Sequence, residues 1–168
     1  LVEMRSLGGE LIRGYYAQPK IKGTHPIIVE YMGYGSKPYF PNQTWDGFAY
    51  FVLSIRGQAL NESTNRFGTW ITYGLDSKED YYYRGAFMDV VRAIDFVSSR
   101  TEIDATRIAV RGGSQGGALS FVVAALDKRV KVAAPSIPFL SDYRDYFRIA
   151  SWPKSDFDNY MSNHPDAK

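Results

Sequence analysis

Several features are missing from this sequence of 168 residues, and each absence removes a class of protein. It contains no cysteine, which excludes a disulfide scaffold and a thiolate metal site. It has no large excess of positive or negative charge, because its 20 Lys and Arg residues nearly balance its 18 Asp and Glu residues. Nothing therefore favours a nucleic-acid or membrane-surface partner, which would need clustered basic residues. No apolar run approaches the roughly 20 residues of a membrane span.

Cofactor motifs are missing as well. The His, Asp and Glu residues show no metal-ligand spacing, and the glycine-rich run at 112–117 lacks the Lys-Ser/Thr pair of a phosphate-binding loop. The sequence therefore predicts neither a metal nor a cofactor. Aromatic residues, by contrast, are abundant, with 13 Tyr, 10 Phe and 3 Trp. They indicate a large core together with an aromatic-lined cleft or an oligomer surface.

Short apolar runs predict a parallel sheet. A first strand is expected over residues 10–17, where apolar and polar residues mix. Nearly continuous apolar runs are typical of strands covered on both faces, as in a parallel sheet. Four such runs occur, at 27–31, 49–55, 107–111 and 130–134. Pro135 is expected to end the last of these strands.

Two helices are expected between these strands. Over 85–100 the apolar residues recur at helical spacing on one face. The second helix, over 116–126, has almost no polar face and is expected to be buried. Strands that alternate with helices predict one α/β domain over residues 1–168, built on a doubly wound, largely parallel sheet. A long loop is expected over 61–83, and 142–166 is expected to form a lid or excursion.

A strand–turn–helix motif holds a candidate nucleophile. Residues 112–116 read Gly-Gly-Ser-Gln-Gly and match G-x-S-x-G between a predicted strand and a predicted helix, the context of a nucleophile elbow. Side chains on the tight turn would collide with the strand or the helix, so glycine is required there. The motif predicts Ser114 as the nucleophile, with elbow glycines Gly112 and Gly116. Neither Gly113 nor Gly116 is expected to tolerate a larger side chain. The alternative is a glycine-rich turn that happens to hold a serine.

An elbow serine that attacks an ester also needs two N–H donors for the oxyanion. One is usually the backbone N–H of the residue after the nucleophile, here Gln115. The other comes from the loop after an early strand, and Met32-Gly33-Tyr34 follows the predicted strand 27–31. This spacing favours Tyr34 as the second donor, although an ordinary turn at a strand end would have the same spacing.

Five segments together resemble carbohydrate esterase family 7, the acetyl xylan esterases and cephalosporin-C deacetylases. The most specific are Arg-Gly-Gln at 56–58 and Gly-Gly-Ser-Gln-Gly-Gly at 112–117, in that order and separation. The segments 81–84 and 138–140 and the helix around Asp89 also resemble family segments, so that the resemblance covers nearly the whole chain.

The resemblance implies an α/β-hydrolase that removes acetyl groups from acetylated xylo-oligosaccharides or related small esters, including cephalosporin C, through an acetyl-enzyme. It makes Ser114 the nucleophile and the N–H groups of Tyr34 and Gln115 the oxyanion hole. Arg56 and Gln58 would steady these loops, although an arginine at a strand end is more often a surface ion-pair partner. By the same resemblance the partner is a small acetylated carbohydrate, and the protein forms a homo-oligomer, a hexamer. A cytoplasmic location is favoured, with a secreted or periplasmic one left open.

Two departures from the family pattern bear on these expectations. Met32 stands where the family usually has a histidine, which a backbone donor should tolerate. The family's His-Glu motif is absent, and the triad order Ser…Asp…His leaves only His164 after the nucleophile, while His25 precedes it. The catalytic Asp and His are therefore expected beyond Lys168, with the chain an incomplete N-terminal portion of the hydrolase. The alternatives are a prolyl-oligopeptidase-like serine peptidase and a non-catalytic hydrolase segment.

Overall fold

A mixed six-stranded sheet forms the centre of the molecule, for which a computed structural model describes residues 1–41 and 47–166. The strands are β1 (Val2–Arg5), β2 (Leu11–Ala17), β3 (His25–Tyr31), β4 (Ala49–Ser54), β5 (Ile103–Gly113) and β6 (Val130–Ser136). Their order across the sheet is β1-β2-β4-β3-β5-β6. Strands β4, β3, β5 and β6 are parallel, while β1 and β2 add an antiparallel pair at one edge. The carboxyl ends of the four parallel strands therefore lie along one rim of the sheet.

Helices α1 (Tyr82–Ser98) and α2 (Gln115–Leu126) pack against the sheet and against each other. One contact of α1 with the sheet is made by Phe96, whose ring lies 5.0 Å from that of Phe51 on β4. Helices α3 (Tyr143–Ile149) and α4 (Lys154–Asn163) follow β6, and short 3-10 helices cover Leu7–Gly9 and Ala59–Thr64. The expected α/β organisation is confirmed. Its fully buried core side chains include Ile12, Ile27, Val29, Leu53, Val90, Ile94, Val110 and Leu119.

The strands differ from the sequence expectations at their ends and edges. All of β4 is buried, as its apolar run predicts, but β3 alternates buried and half-buried residues. Strand β1 has no signal strong enough to be expected, and β5 begins earlier than predicted. Pro135 was expected to end the last strand, yet β6 continues to Ser136 and Pro135 pairs with Gly112. This is tolerated because β6 is the edge strand among the strands described, where a residue without an N–H need not donate to a neighbour.

Two helix expectations are wrong in detail. The long loop expected over 61–83 begins within a 3-10 helix and ends in the first turn of α1, which starts at Tyr82. Helix α2 was expected to be buried all round, yet Phe121 is 54% exposed and Leu126 is 62% exposed. The apolar composition of a helix shows which side chains it could bury, whereas the position of the helix in the fold decides which of them are buried. Within the described residues α2 contacts β3, β5, β6 and α1, and these contacts leave Phe121 and Leu126 uncovered.

The segment expected as a lid or excursion, 142–166, contains α3, α4 and the turn between them. Its aromatic rings pack on one another, with Tyr143 against both Phe147 and Phe157. Its role as a lid stays a prediction. Over the residues that the structure describes, no helix has the length and apolar character to cross a bilayer.

Candidate active site

Ser114 lies on the turn between the last residue of β5 and the first residue of α2. Its backbone has φ 54° and ψ −119°, in a region that residues with a side chain rarely adopt and that is often found at active sites. Three hydrogen bonds hold this conformation. Its N–H donates to Ser136 O at 3.0 Å, and its carbonyl accepts from Ala118 N at 3.1 Å and Phe139 N at 3.0 Å. The chain thus presents a half-buried serine at the carboxyl end of β5.

Glycines make this turn possible, though not at every position expected. A Cβ at Gly112 would lie 2.5 Å from Tyr31 O, and one at Gly116 would collide with the same carbonyl. The close approach of strand and helix at these two elbow positions therefore requires glycine. At Gly113 an added Cβ would meet no heavy atom within 4 Å. The expectation that Gly113 tolerates no larger side chain is thus wrong on steric grounds, because its side-chain direction points into open space.

Two backbone N–H groups lie just beyond the carboxyl ends of neighbouring strands, at the rim that carries Ser114. Gln115 N opens α2, whose positive end lies at the serine, and Tyr34 N belongs to the turn that follows β3, the neighbour of β5. Throughout the described part of the chain, neither N–H has a hydrogen-bond acceptor. Burial raises the pKa of the Tyr34 phenol to about 12, so that this side chain stays neutral. Both N–H groups are free to bind a negatively charged oxygen.

A buried pair of amides joins these two loops to the end of β4. The side chains of Gln58 and Gln115 bond to each other twice, each Nε2 donating to the other's Oε1 at 3.1 Å. Gln58 Oε1 also accepts from Gly35 N at 3.3 Å, and Gln115 Nε2 also donates to Met32 O at 3.3 Å. The expected proximity of Gln58 to both loops is therefore present.

Two tyrosines complete this network, and sequence analysis assigned them no role. Tyr83 donates its hydroxyl to Gln115 Oε1 at 2.8 Å. Tyr82 accepts from Gln58 Nε2 at 2.9 Å and donates to Arg56 O at 2.7 Å. Every donor and acceptor of both amides is thus used, which fixes which way each amide points. Burial raises the pKa of both phenols, so that each remains a hydrogen-bond donor.

Arg56 is a buried ion-pair partner, not the surface one that its strand-end position also allowed. Its Nη2 lies 2.7 Å from Asp89 Oδ1, and its Nε and backbone N both donate to Asp89 Oδ2 at 2.9 Å. Asp89 is fully buried on α1, and the guanidinium packs where a side chain at Gly85 would lie. A charged residue on an otherwise apolar helix face was the signal in the sequence for such a partner.

Replacing Asp89 with alanine is expected to destabilise the protein by about 3–5 kcal/mol, because it leaves the buried Arg56 guanidinium unpaired. Urea unfolding of the purified protein measures the effect. Asp95→Ala on the same helix is the matched control, since Asp95 pairs with Arg92 and Arg129 at 40% side-chain exposure. That substitution should cost no more than about 1 kcal/mol. Equal losses in the two variants would contradict the special role of the buried pair.

Neither histidine reaches the serine. His25 begins β3 and pairs in register with Ile103, at the opposite end of the parallel strands, about 20 Å from the rim that carries Ser114. His164 caps the exposed end of α4, where its ring stacks on Tyr160 at 4.1 Å. Ser114 Oγ has no hydrogen-bond partner in the part of the chain described. Over the same residues no group of three or more His, Asp or Glu side chains is placed to hold a metal ion.

The mostly parallel strands, with a strained serine between one of them and the following helix, define the chain as an α/β-hydrolase. It belongs to the acetyl xylan esterase family, whose pattern it matches over residues 2–166. It is 34% identical over 163 residues to acetyl esterase Axe7A of Xylanibacter ruminicola, a match that covers 84% of this chain and 36% of that protein.

Solved structures agree with this family assignment. An acetyl xylan esterase from Paenibacillus sp. R4 superposes with a TM-score of 0.85 at 36% identity, and covers 96% of this chain and 55% of that one. Acetyl xylan esterase 1 from Thermoanaerobacterium sp. JW/SL YS485 gives 0.83 at 29% identity, with 95% and 55% covered. The chain thus spans about half the length of the solved relatives that it matches.

Proposed function

We propose that this chain carries the nucleophile of a serine esterase that removes acetyl groups from acetylated xylo-oligosaccharides or related small esters, including cephalosporin C. One observation carries the proposal. Ser114 is held at φ 54° between a strand and a helix, with Gly112 and Gly116 admitting no side chain beside it. Membership of the acetyl xylan esterase family supports acetyl esters as the substrate class. No step of this chemistry requires a metal or a cofactor.

The proposed reaction uses the geometry of the elbow. Ser114 Oγ attacks the acetyl carbonyl carbon while a general base takes its proton. Negative charge then develops on the carbonyl oxygen, and the free N–H groups of Tyr34 and Gln115 bind it more strongly than they bind the neutral ester. Collapse of this intermediate breaks the bond to the sugar oxygen, and the protonated base gives its proton to this oxygen, so that the sugar leaves as an alcohol. Water then attacks the acetyl-enzyme by the same route and releases acetate.

Positioning of the two N–H groups is the role we assign to Gln58 and Arg56. Gln58 bonds to Gly35 N and to the Gln115 side chain, so one amide sets the spacing between the two donor loops. Arg56 in turn anchors the chain just before Gln58 to helix α1 through Asp89. Preorganised donors of this kind need no rearrangement as the charge develops.

The general base is proposed to come from outside the 168 residues, because no histidine of the described chain contacts Ser114. A serine hydroxyl is barely ionised near pH 7 and attacks slowly without a base. A homo-oligomer, a hexamer as in the resembling family, is part of the same proposal, and light scattering coupled to gel filtration tests it.

The proposed activity is tested with two substrates in the protein expressed from its complete reading frame. One assay measures acetate release from acetylated xylo-oligosaccharides, and the other measures hydrolysis of aminoacyl-proline amides. Acetate release without amide hydrolysis supports an acetyl esterase. The reverse result would make it a prolyl-oligopeptidase-like peptidase. Absence of both activities would indicate a non-catalytic segment.

The 168-residue chain alone is expected to hydrolyse p-nitrophenyl acetate no faster than about 10³-fold over water, the residual contribution of binding and an oxyanion hole. Its turnover should not exceed that of its Ser114→Ala form by more than a few fold, since the hydroxyl has no base. Robust turnover that depends on Ser114 and is lost on replacing His25 or His164 would identify that histidine as the base. The proposal of an external base would then be wrong.

A further inference from the structure

Trp152 contacts aromatic rings from two different loops of the candidate site. Its ring centre lies 5.0 Å from that of Tyr34 and 5.4 Å from that of Phe139. Tyr34 belongs to the turn after β3, and Phe139 to the turn after β6. Trp152 itself comes from neither turn, because it lies in the connection between α3 and α4.

The order of the strands places this indole relative to Ser114. Strand β5, which ends at the serine, lies between β3 and β6. Two strand spacings, about 10 Å, therefore separate the turns that carry Tyr34 and Phe139. A single ring that contacts both side chains spans the interval between these two turns, and the carboxyl end of β5 lies in that interval. Phe139 N also donates to Ser114 O at 3.0 Å, which ties one of these contacts directly to the nucleophile.

Much of this ring is left uncovered. Trp152 is 40% exposed, whereas its neighbour Phe139 is 6% exposed. For a side chain of roughly 250 Å² this leaves about 100 Å² of surface uncovered. An acetyl methyl group would cover only about 30 Å² of it. The uncovered area corresponds better to a ring-sized group, and therefore to the alcohol part of the ester, than to its acyl part.

We propose that Trp152 is a specificity-determining residue, the surface on which the pyranose ring of an acetylated sugar stacks while its acetyl group lies at Ser114. This inference rests on the proposed esterase function and adds the group that selects the alcohol. A pyranose presents a face of C–H groups with slight positive charge, which suits the negative face of an indole. Acyclic acetyl esters have no such face and gain less from the contact.

The test compares two acetyl esters in the protein expressed from its complete reading frame. Xylose tetra-acetate carries a pyranose ring, and triacetin is an acyclic acetyl ester without one. Trp152→Ala should lower the ratio of kcat/KM for xylose tetra-acetate to that for triacetin by about tenfold, the effect of one lost aromatic contact. The change should lie in KM more than in kcat, and Trp152→Phe should restore most of the ratio.

Trp70→Ala is the matched control, because Trp70 also contacts Tyr34, at 5.1 Å, but not Phe139. It should leave the substrate ratio unchanged, even if both rates fall together. An unchanged ratio in Trp152→Ala would overturn the proposal. A gain in hydrolysis of butyrate over acetate esters in Trp152→Ala would also overturn it, since the ring would then limit the acyl group.

A binding measurement separates this inference from the proposed catalysis. In a Ser114→Ala background, calorimetric titration with xylobiose should show binding that weakens about tenfold on adding Trp152→Ala. If the wild-type protein releases no acetate but binding depends on Trp152, the esterase proposal fails and the sugar-stacking surface stands. If acetate is released but Trp152→Ala changes neither xylobiose binding nor the substrate ratio, the stacking proposal is wrong and the esterase proposal is unaffected.

Discussion

Ser114→Ala is expected to lower kcat/KM for acetyl esters by a factor of about 10³ or more in the protein expressed from its complete reading frame. Without the hydroxyl no acetyl-enzyme forms, and only the oxyanion hole and substrate binding remain to accelerate attack by water. Burst kinetics with p-nitrophenyl acetate measure the loss, because the burst of p-nitrophenol reports the acylation step.

The fold should survive this substitution. The Ser114 hydroxyl has no hydrogen-bond partner in the described chain, so its removal leaves no buried group unpaired. Ser120→Ala on the same helix is the control, since it removes a buried hydroxyl that donates to Gly116 O at 2.8 Å. This control should cost about 1 kcal/mol of stability and keep esterase activity. Full activity in Ser114→Ala would end the proposal that Ser114 is the nucleophile.

Gly116→Val should abolish soluble, active protein. Even a Cβ at this position collides with the carbonyl of Tyr31, and backbone atoms of β3 cannot move aside as a flexible side chain can. Overpacking in a core costs about 1–3 kcal/mol where side chains yield, and here the cost should exceed that range. Soluble yield, circular dichroism and esterase activity together measure the outcome.

Gly113→Ala provides the contrast for Gly116→Val three residues away. An added Cβ at Gly113 meets nothing within 4 Å, and its φ lies outside the left-handed region. This variant should fold and retain activity within a few fold. A well-folded, active Gly116→Val would show that strand and helix do not approach as described, while failure of Gly113→Ala alone would reverse the assignment of the two glycines.

The nucleophile turn could be predicted from the sequence because all of its determinants are contiguous. An apolar strand, a G-x-S-x-G turn and an apolar helix follow one another within 107–126, and local sterics alone demand the glycines. The same holds for the α/β class, since strand and helix periodicity are local properties. The order of segments 56–58 and 112–117 further pointed to the esterase family.

Contacts between distant residues were decided only by the tertiary structure. Gln58 meets Gln115 because β4 and β5, the parallel strands on either side of β3, end at the same rim of the sheet. Arg56 meets Asp89 because α1 packs beside these strand ends. Tyr83 received no role from sequence analysis for the same reason, since its acceptor lies on another element.

Burial likewise depended on position and not on composition. Helix α2 is apolar on all sides, yet Phe121 and Leu126 are exposed, because a helix buries only the side that the sheet and its neighbours cover. Strand β6 continues through Pro135, because β6 lies at the edge of the described sheet and has no neighbour on its outer side to which this residue would have to donate an N–H. Trp152 contacts both Tyr34 and Phe139 because the order of the strands brings the turns after β3 and β6 to the same rim. The sequence by itself therefore determined the local turn and the class of fold. The order of the strands decided which residues surround the serine, because it brings distant side chains within contact distance.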